Sequence, residues 1–178
     1  MGLDEARTSA RHLQDRAGLT ESPLAHSIDE LVTEIRALLL EASDDGTLLT
    51  APFEIIPLLR HRRDRRNPET LTVWCGETFD QGQEGGQFLH LSNGGRLSFS
   101  LTAEYAGQVR RLISYRFHLR RAAGLSPAFL RFDLNPEHGV HEPLDEPRCH
   151  LHPGSDDIRI QCPILSPTEI LHKLLYGI

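Results

Sequence analysis

Histidines and a carboxylate with the potential for chemistry concentrate in residues 108–160. His118 lies in an alternating segment, and His150 and His152 are separated by one residue in a later segment. Asp133 lies between the two segments along the chain. Imidazoles that are neutral near pH 7 can transfer protons or bind a divalent metal, and a nearby carboxylate assists in both. Acid/base catalysis and metal binding are therefore the two chemistries to consider.

The arginines of residues 108–132 lie in a segment without acidic residues. Residues 108–132 contain six arginines and no lysine, aspartate or glutamate. Guanidinium groups bind phosphate in a bidentate manner, and like charges that face each other in a sheet repel unless an anion lies between them. A solvated sheet surface is the alternative explanation. The candidate phosphate-binding residues are Arg116, Arg120 and Arg131, with Arg62 and Arg63 from an earlier arginine cluster.

Two segments with a period of two must position these side chains. Residues 113–120 and 128–134 alternate between apolar and polar side chains, which predicts two half-buried strands. If the strands form an antiparallel hairpin, matching their apolar faces predicts that Arg116 lies opposite Arg131. The apolar face of the first strand would carry Ile113, Tyr115, Phe117 and Leu119.

A loop rich in proline and glycine follows the hairpin and contains the remaining candidate ligands. Residues 150–152 can form a short strand that places both imidazoles on one face. The metal interpretation lacks the paired spacing of a zinc finger. Metal-free cleavage of a phosphodiester ranks above it, because arginines and a histidine or carboxylate are sufficient. The residues of the metal interpretation are His138, His141, Cys149, His150 and His152, with Asp133.

Four short motifs resemble those of small bacterial proteins from toxin-antitoxin and defence loci, among them the TumE-type toxins. The motifs are Y-R-F-H at residues 115–118, R-F-D-x-N-P at 131–136, H-x-H-P-G at 150–154 and L-S-P-x-E-I-L at 165–171. They cover the last third of the chain. The resemblance implies an RNA-directed activity, a fold of helices with an antiparallel sheet, and a cognate protein partner. Residues 139–145 depart from the pattern, because they separate the first histidines from H-x-H.

Length and composition predict one domain. A chain of 178 residues that is 39% apolar is long enough for a single soluble domain with a continuous core. No apolar run approaches the length that crosses a bilayer, so we expect a cytoplasmic protein without a membrane partner. The three cysteines are odd in number and far apart in the chain. Reduced thiols are therefore expected.

The negative charge is concentrated near the N-terminus. Residues 1–59 hold eleven acids and four arginines, whereas residues 60–178 hold fourteen acids and fifteen basic residues. The net charge of -6 therefore leaves nucleic-acid binding open, since affinity for phosphates follows the local patch. The chain lacks G-x-x-x-x-G-K-[ST], G-x-G-x-x-G and G-x-S-x-G, so nucleotide-cofactor and serine-hydrolase classes lose their main support.

The predicted elements combine into an α+β fold, with N-terminal helices, an antiparallel sheet of about five to seven strands and a C-terminal helix. A capping box at residues 27–30 begins the most strongly patterned helix, and S-N-G-G at 92–95 predicts a hairpin turn. Ser166 and Pro167 begin the final helix. Residues 1–22 are either a first helix or a mobile end, and residues 23–178 form a single α+β domain.

The leading hypothesis is a toxin-like or defence-associated protein that acts on RNA as a metal-independent endoribonuclease, without a cofactor. His118, His150 and His152 would supply the acid/base chemistry beside Asp133, and arginines would hold the phosphate. One alternative is a non-catalytic partner-binding protein of a toxin-antitoxin or defence operon. The other is a metal-dependent phosphodiesterase whose ligands come from His138, His141, His150 and His152.

Overall fold

The computed structural model describes residues 27–77, 87–107, 109–136 and 148–177. These residues form three helices and one antiparallel sheet of eight strands, which confirms the α+β class. The sheet contains eight strands where five to seven were predicted, and two of them, Leu89–His90 and Ile160–Gln161, have only two residues each. The predicted segment 1–22 lies outside the described residues. In chain order the elements are α1 (Ile28–Asp44), α2 (Pro52–Leu58), β1 (Leu59–Arg63), β2 (Thr70–Cys75), β3 (Leu89–His90), β4 (Arg96–Ala106), β5 (Val109–Arg120), β6 (Phe129–Leu134), β7 (Cys149–Pro153), β8 (Ile160–Gln161) and α3 (Pro167–Tyr176).

Side-chain caps define where the two longer helices begin. The Ser27 hydroxyl accepts a hydrogen bond from the Glu30 amide at 3.1 Å at the start of α1. Ser166 and Glu169 form a reciprocal capping box at the start of α3, with distances of 2.7 and 3.2 Å. Both predicted helix starts are confirmed. No helix in the described ranges has the length and apolar character needed to cross a bilayer.

The sheet has one apolar face and one polar face. Its strand order is β1-β2-β4-β5-β6-β7-β8, with β3 paired to the start of β4. The three helices pack on the apolar face, where their buried side chains join one core with those of the strands. Alternation along the strands therefore sends the intervening polar side chains to the other side of the sheet.

The pairing of β5 with β6 differs from the predicted register by two residues. Arg116 lies opposite Asp133, and His118 lies opposite Arg131. The expectation that Arg116 lies opposite Arg131 was therefore wrong. A slip of two residues leaves every side chain on the same face, so the apolar pattern cannot detect it. The observed register places a carboxylate opposite a guanidinium, which removes the repulsion between facing arginines.

A β-bulge in β5 changes which of its residues face the core. The register between β4 and β5 shifts at Thr102, so that Ala103 pairs with Leu112 and Ile113 is the extra residue. Leu112 is consequently buried, whereas Ile113 is only half-buried. The predicted inward position of Ile113 was wrong, because alternation assumes an uninterrupted ladder. Tyr115, Phe117 and Leu119 are buried as predicted.

Candidate functional site

A row of side chains crosses the polar face of the sheet from β1 to β8. Direct pairing of successive strands aligns Arg60, Trp74, Ser100, Arg116, Asp133, His150 and Gln161. A neighbouring row aligns Ser98, His118, Arg131 and His152. Because strands are spaced about 4.8 Å apart, residues in one row lie at regular intervals across the face. The candidate residues from three strands therefore meet where the rows cross β5, β6 and β7.

Asp133 is the centre of a compact group, which we call the Asp133 cluster: Asp133, Arg116, Arg131, His150 and His152. Arg131 Nε donates to Asp133 Oδ2 at 2.7 Å, and Arg116 Nε donates to Oδ1 at 3.2 Å. The Nε2 atoms of His152 and His150 lie 3.4 and 3.8 Å from Oδ2. The Asp133 carboxylate thus occupies the position between the arginines where the sequence allowed either an aspartate or a phosphate.

Arg131 connects the cluster to the loop that follows β7. Its Nη1 donates to Asp156 Oδ1 at 2.5 Å while its Nε contacts Asp133. The Arg131 side chain is therefore neutralised by two carboxylates. Arg116 has a different position, since 60% of its side chain is exposed and its ion pair with Asp133 is made through Nε. Arg116 is consequently the cluster guanidinium that is more accessible to an external anion.

The H-x-H motif forms β7 as predicted, and both imidazoles face Asp133. Only 3% of His150 and 1% of His152 is exposed, and their rings meet edge to face at 4.8 Å between centroids. His152 Nδ1 lies 3.4 Å from the carbonyl oxygen of Ser155. Gly154 makes this turn possible with a φ of +82°, and an added Cβ would lie 2.9 Å from the Pro127 Cβ.

His118 lies beside the Asp133 cluster in the second row. Its ring contacts Phe129 edge to face, with 5.1 Å between centroids. Burial lowers the pKa of His118 to about 4, and the positive charge of Arg131 contributes to that decrease. Burial also lowers the pKa of His152, again with a contribution from Arg131. Both imidazoles are therefore neutral near pH 7.

The remaining predicted residues divide between the two faces. Arg120 is exposed on the polar face, four residues beyond Arg116 and hence about 13 Å along the strand. Arg62 shares that face and lines a cavity of about 550 Å³ with Asp64, Arg65, Arg66 and Thr72. Arg63 points to the opposite side, because it pairs with the buried Leu71. His138 and His141 lie outside the described residues.

Sequence reasoning did not single out Trp74 as a candidate residue. Trp74 is the single tryptophan of the chain and lies half-buried on the polar face, in the same row as Arg116. Two strand spacings separate the two residues, about 10 Å. The alternation of Leu71, Val73 and Cys75 already implied that Trp74 faces outward. An aromatic side chain at an outward strand position was the signal available.

A pair of cysteines lies behind the site, on the apolar side of the sheet. Cys149 Sγ is 3.0 Å from Cys162 Sγ and 3.2 Å from the Tyr115 hydroxyl. Hydrogen bonding between the thiols lowers the pKa of Cys149 and raises that of Cys162. The sequence grouped Cys149 with the histidines as a candidate metal ligand. Cys149 and His150 are adjacent along β7, so their side chains point to opposite faces of the sheet, and Cys149 is not part of the histidine site.

The cluster has two chemical capacities. Neutral imidazoles beside a guanidinium can act on a phosphodiester, and two imidazoles with a carboxylate can bind a metal ion. Among the described residues, Asp133, His150 and His152 form the group of potential ligands, with ligand atoms within 4.8 Å of one another. Comparisons of the chain with protein-family models, curated proteins and solved structures found no match.

Proposed function

We propose that this protein is a toxin-like or defence-associated protein that acts on RNA, and that the polar face of its sheet is the surface of an endoribonuclease. The supporting observation is the meeting of Arg116, Asp133 and His118 in adjacent rows of one face, beside two buried imidazoles. Cleavage of a phosphodiester requires proton transfer and positive charge near the phosphate. Both requirements are met within this group.

RNA binding in this proposal uses Trp74 and the exposed arginines. Bases of single-stranded RNA stack on aromatic side chains, while guanidinium groups bind the phosphates. Trp74 and Arg116 share a row, so a stacked base and a bound phosphate would lie about 10 Å apart across the strands. Arg62 and Arg120 lie on the same face and extend the positive surface in two directions.

Proton transfer in this proposal falls mainly to His118. His150 and His152 are almost completely buried, whereas His118 is only partly buried and is therefore closer to a bound substrate. Its pKa of about 4 reflects burial and the charge of Arg131. A phosphate bound at Arg116 would offset that positive charge and raise the pKa of His118 toward the range useful for catalysis. Asp133 and Arg131 act as positioning residues.

The direct test is cleavage of unstructured RNA by the purified full chain, with chelator and with added divalent metal. We expect His118→Ala to reduce the cleavage rate by about a hundredfold or more, and Arg116→Ala by about tenfold or more. The matched controls are His172→Ala and Arg36→Ala, which remove exposed side chains from the helical side of the molecule. A folded protein that leaves RNA intact in every condition, or cleavage unchanged in His118→Ala, would refute the proposal.

A binding test isolates substrate recognition from cleavage. Trp74 is the single tryptophan, so its fluorescence reports on RNA at the polar face. We expect RNA to quench this fluorescence and Arg116→Ala to weaken binding and reduce its salt dependence. Arg36→Ala should change neither. Unquenched fluorescence at RNA concentrations that are cleaved would contradict the assignment of Trp74.

A non-catalytic, partner-binding protein is the second candidate. Around α2, exposed apolar side chains favour it, since Leu49, Phe53 and Ile56 are 65%, 76% and 57% exposed. In this candidate a cognate protein from the same operon, antitoxin-like or a defence-complex subunit, covers α2. Phe53→Asp should abolish that complex, whereas Leu125→Asp, at an exposed leucine of another turn, should not. Binding that survives Phe53→Asp would exclude α2 as the docking site.

A further inference from the structure

We infer that Asp133, His150 and His152 bind one divalent first-row transition-metal ion through Oδ2 and the two Nε2 atoms. Pairing of β6 with β7 places His150 directly opposite Asp133, and alternation puts His152 on the same face. All three side chains are buried, and their potential ligand atoms lie within 4.8 Å of one another. Two imidazoles and one carboxylate are a ligand set that suits zinc, iron or cobalt in the divalent state.

The spacing of the ligand atoms fits a metal ion. Metal bonds of about 2.1 Å at tetrahedral angles place neighbouring ligand atoms about 3.4 Å apart. His152 Nε2 and Asp133 Oδ2 are separated by 3.4 Å, and His150 Nε2 and Oδ2 by 3.8 Å. All three ligand atoms lie within 4.8 Å of one another, so modest side-chain movements on the adjacent strands β6 and β7 would bring them to metal-bonding distance.

The buried Nε2 atom of His152 provides an independent observation. It has no hydrogen-bond partner, although it faces the Asp133 carboxylate. A hydrogen bond from Nδ1 to the Ser155 carbonyl, which are 3.4 Å apart, places the proton on Nδ1 and leaves a lone pair on Nε2. A lone pair that faces a carboxylate oxygen in a buried site is unfavourable. A cation between the two atoms converts this contact into an attraction.

The arginines of the cluster act as the surroundings of the proposed metal site. Arg131 at 2.7 Å and Arg116 at 3.2 Å orient the Asp133 carboxylate, and each carboxylate oxygen retains a lone pair for the metal. Their positive charges lower the affinity for a cation. Asp156 offsets part of this effect, because it pairs with Arg131. The metal and the exposed Arg116 would together attract an anionic group, such as a phosphate.

This inference goes beyond the proposed function and does not depend on RNA as the substrate. It changes the role of two histidines, which become ligands where the sequence predicted acid/base groups. In an RNA-cleaving protein the metal would bind a phosphate oxygen or activate a water, and His118 would transfer protons.

The test measures metal binding by the untagged full chain after removal of bound metals with a chelator. Cobalt(II) and zinc(II) serve as probes in calorimetry, and the visible spectrum of bound cobalt reports its coordination. We expect one ion per chain and a rise in melting temperature of about 5–10 °C when free metal exceeds the dissociation constant a hundredfold. His152→Gln and His150→Gln should each abolish the cobalt spectrum and the thermal shift, while His172→Gln, on α3, should change neither.

The outcomes separate this inference from the proposed function. Absence of binding by the folded wild-type chain refutes the metal site, even where one glutamine variant fails to fold. Equal binding by the wild type and a folded His152→Gln also refutes it, because the ion then lies elsewhere. RNA cleavage by a folded chain that fails to bind metal would leave the proposed function intact and the metal site refuted. Stoichiometric binding without any cleavage would support the site and refute the ribonuclease.

Discussion

Arg131 donates to Asp133 Oδ2 at 2.7 Å along β6, and both side chains are largely removed from solvent, with exposures of 17% and 7%. Charges in such a location are stable only when they are paired. The same guanidinium reaches Asp156, whose side chain is 66% exposed. One arginine therefore connects a buried carboxylate, which organises the candidate site, to a solvated one at its rim.

This relationship predicts unequal effects of two matched substitutions. Asp133→Asn should lower the free energy of unfolding by about 2–4 kcal/mol, because it leaves the Arg131 charge without its buried partner. Asp156→Asn should lower it by less than about 1 kcal/mol, since that pair is screened by water. Urea denaturation of both variants in chelator measures the difference. Equal losses in the free energy of unfolding would mean that the Arg131–Asp133 ion pair stabilises the fold no more than a surface ion pair does.

The position of His118 predicts a dependence of stability on pH. Its pKa of about 4 in the folded state lies below the ordinary value of 6.5, so between these pH values the unfolded state binds more protons. Stability should therefore decrease as the pH falls from about 6.5 to 4, by about 1–3 kcal/mol from this residue. His118→Gln should flatten the profile in that window. A variant whose profile parallels that of the wild type would contradict the assignment.

Gly154 and Gly124 form a natural pair for testing the turn after β7. Both have positive φ, +82° and +85°, but only at Gly154 does an added Cβ meet another atom, the Pro127 Cβ at 2.9 Å. Gly124→Ala should lower the free energy of unfolding by about 1–2 kcal/mol, from the left-handed backbone alone. Gly154→Ala should lower it by at least about 1 kcal/mol more, because of the clash with Pro127. Thermal and urea unfolding of both variants measures the loss in free energy of unfolding. Equal losses would mean that Pro127 moves aside freely and would contradict the clash.

Cys149 and Cys162 should form a disulfide when the folded protein is oxidised. Their sulfur atoms are 3.0 Å apart, so only a small approach brings them to the bond length of about 2.05 Å. Treatment with diamide should remove two hydrogens per chain, as measured by mass spectrometry, and peptide mapping should locate the bond. Cys162→Ser should prevent this change, whereas Cys75→Ser should not. A disulfide that includes Cys75 would indicate unfolding during oxidation, since Cys75 is fully buried.

The sequence alone was sufficient for features that depend on near neighbours in the chain. The caps at Ser27 and Ser166 marked two helix starts, because a capping residue acts on an amide three positions away. Alternation placed His150 and His152 on one face of a strand, because side chains point to opposite sides at every step. The α+β class followed from the order of such patterns.

Only the tertiary structure decided which residues meet across strands. Arg116 faces Asp133 instead of Arg131. Because of the bulge at Ile113, Leu112 is buried in the core where Ile113 was expected. Alternation has a period of two, so a slip of two residues preserves it and leaves the register undetermined. Register depends on contacts between residues far apart in the chain, such as the pairing of Arg116 with Asp133. For the same reason the sequence supplied the histidines and the aspartate of the candidate metal site, while their convergence on one point required the assembled sheet.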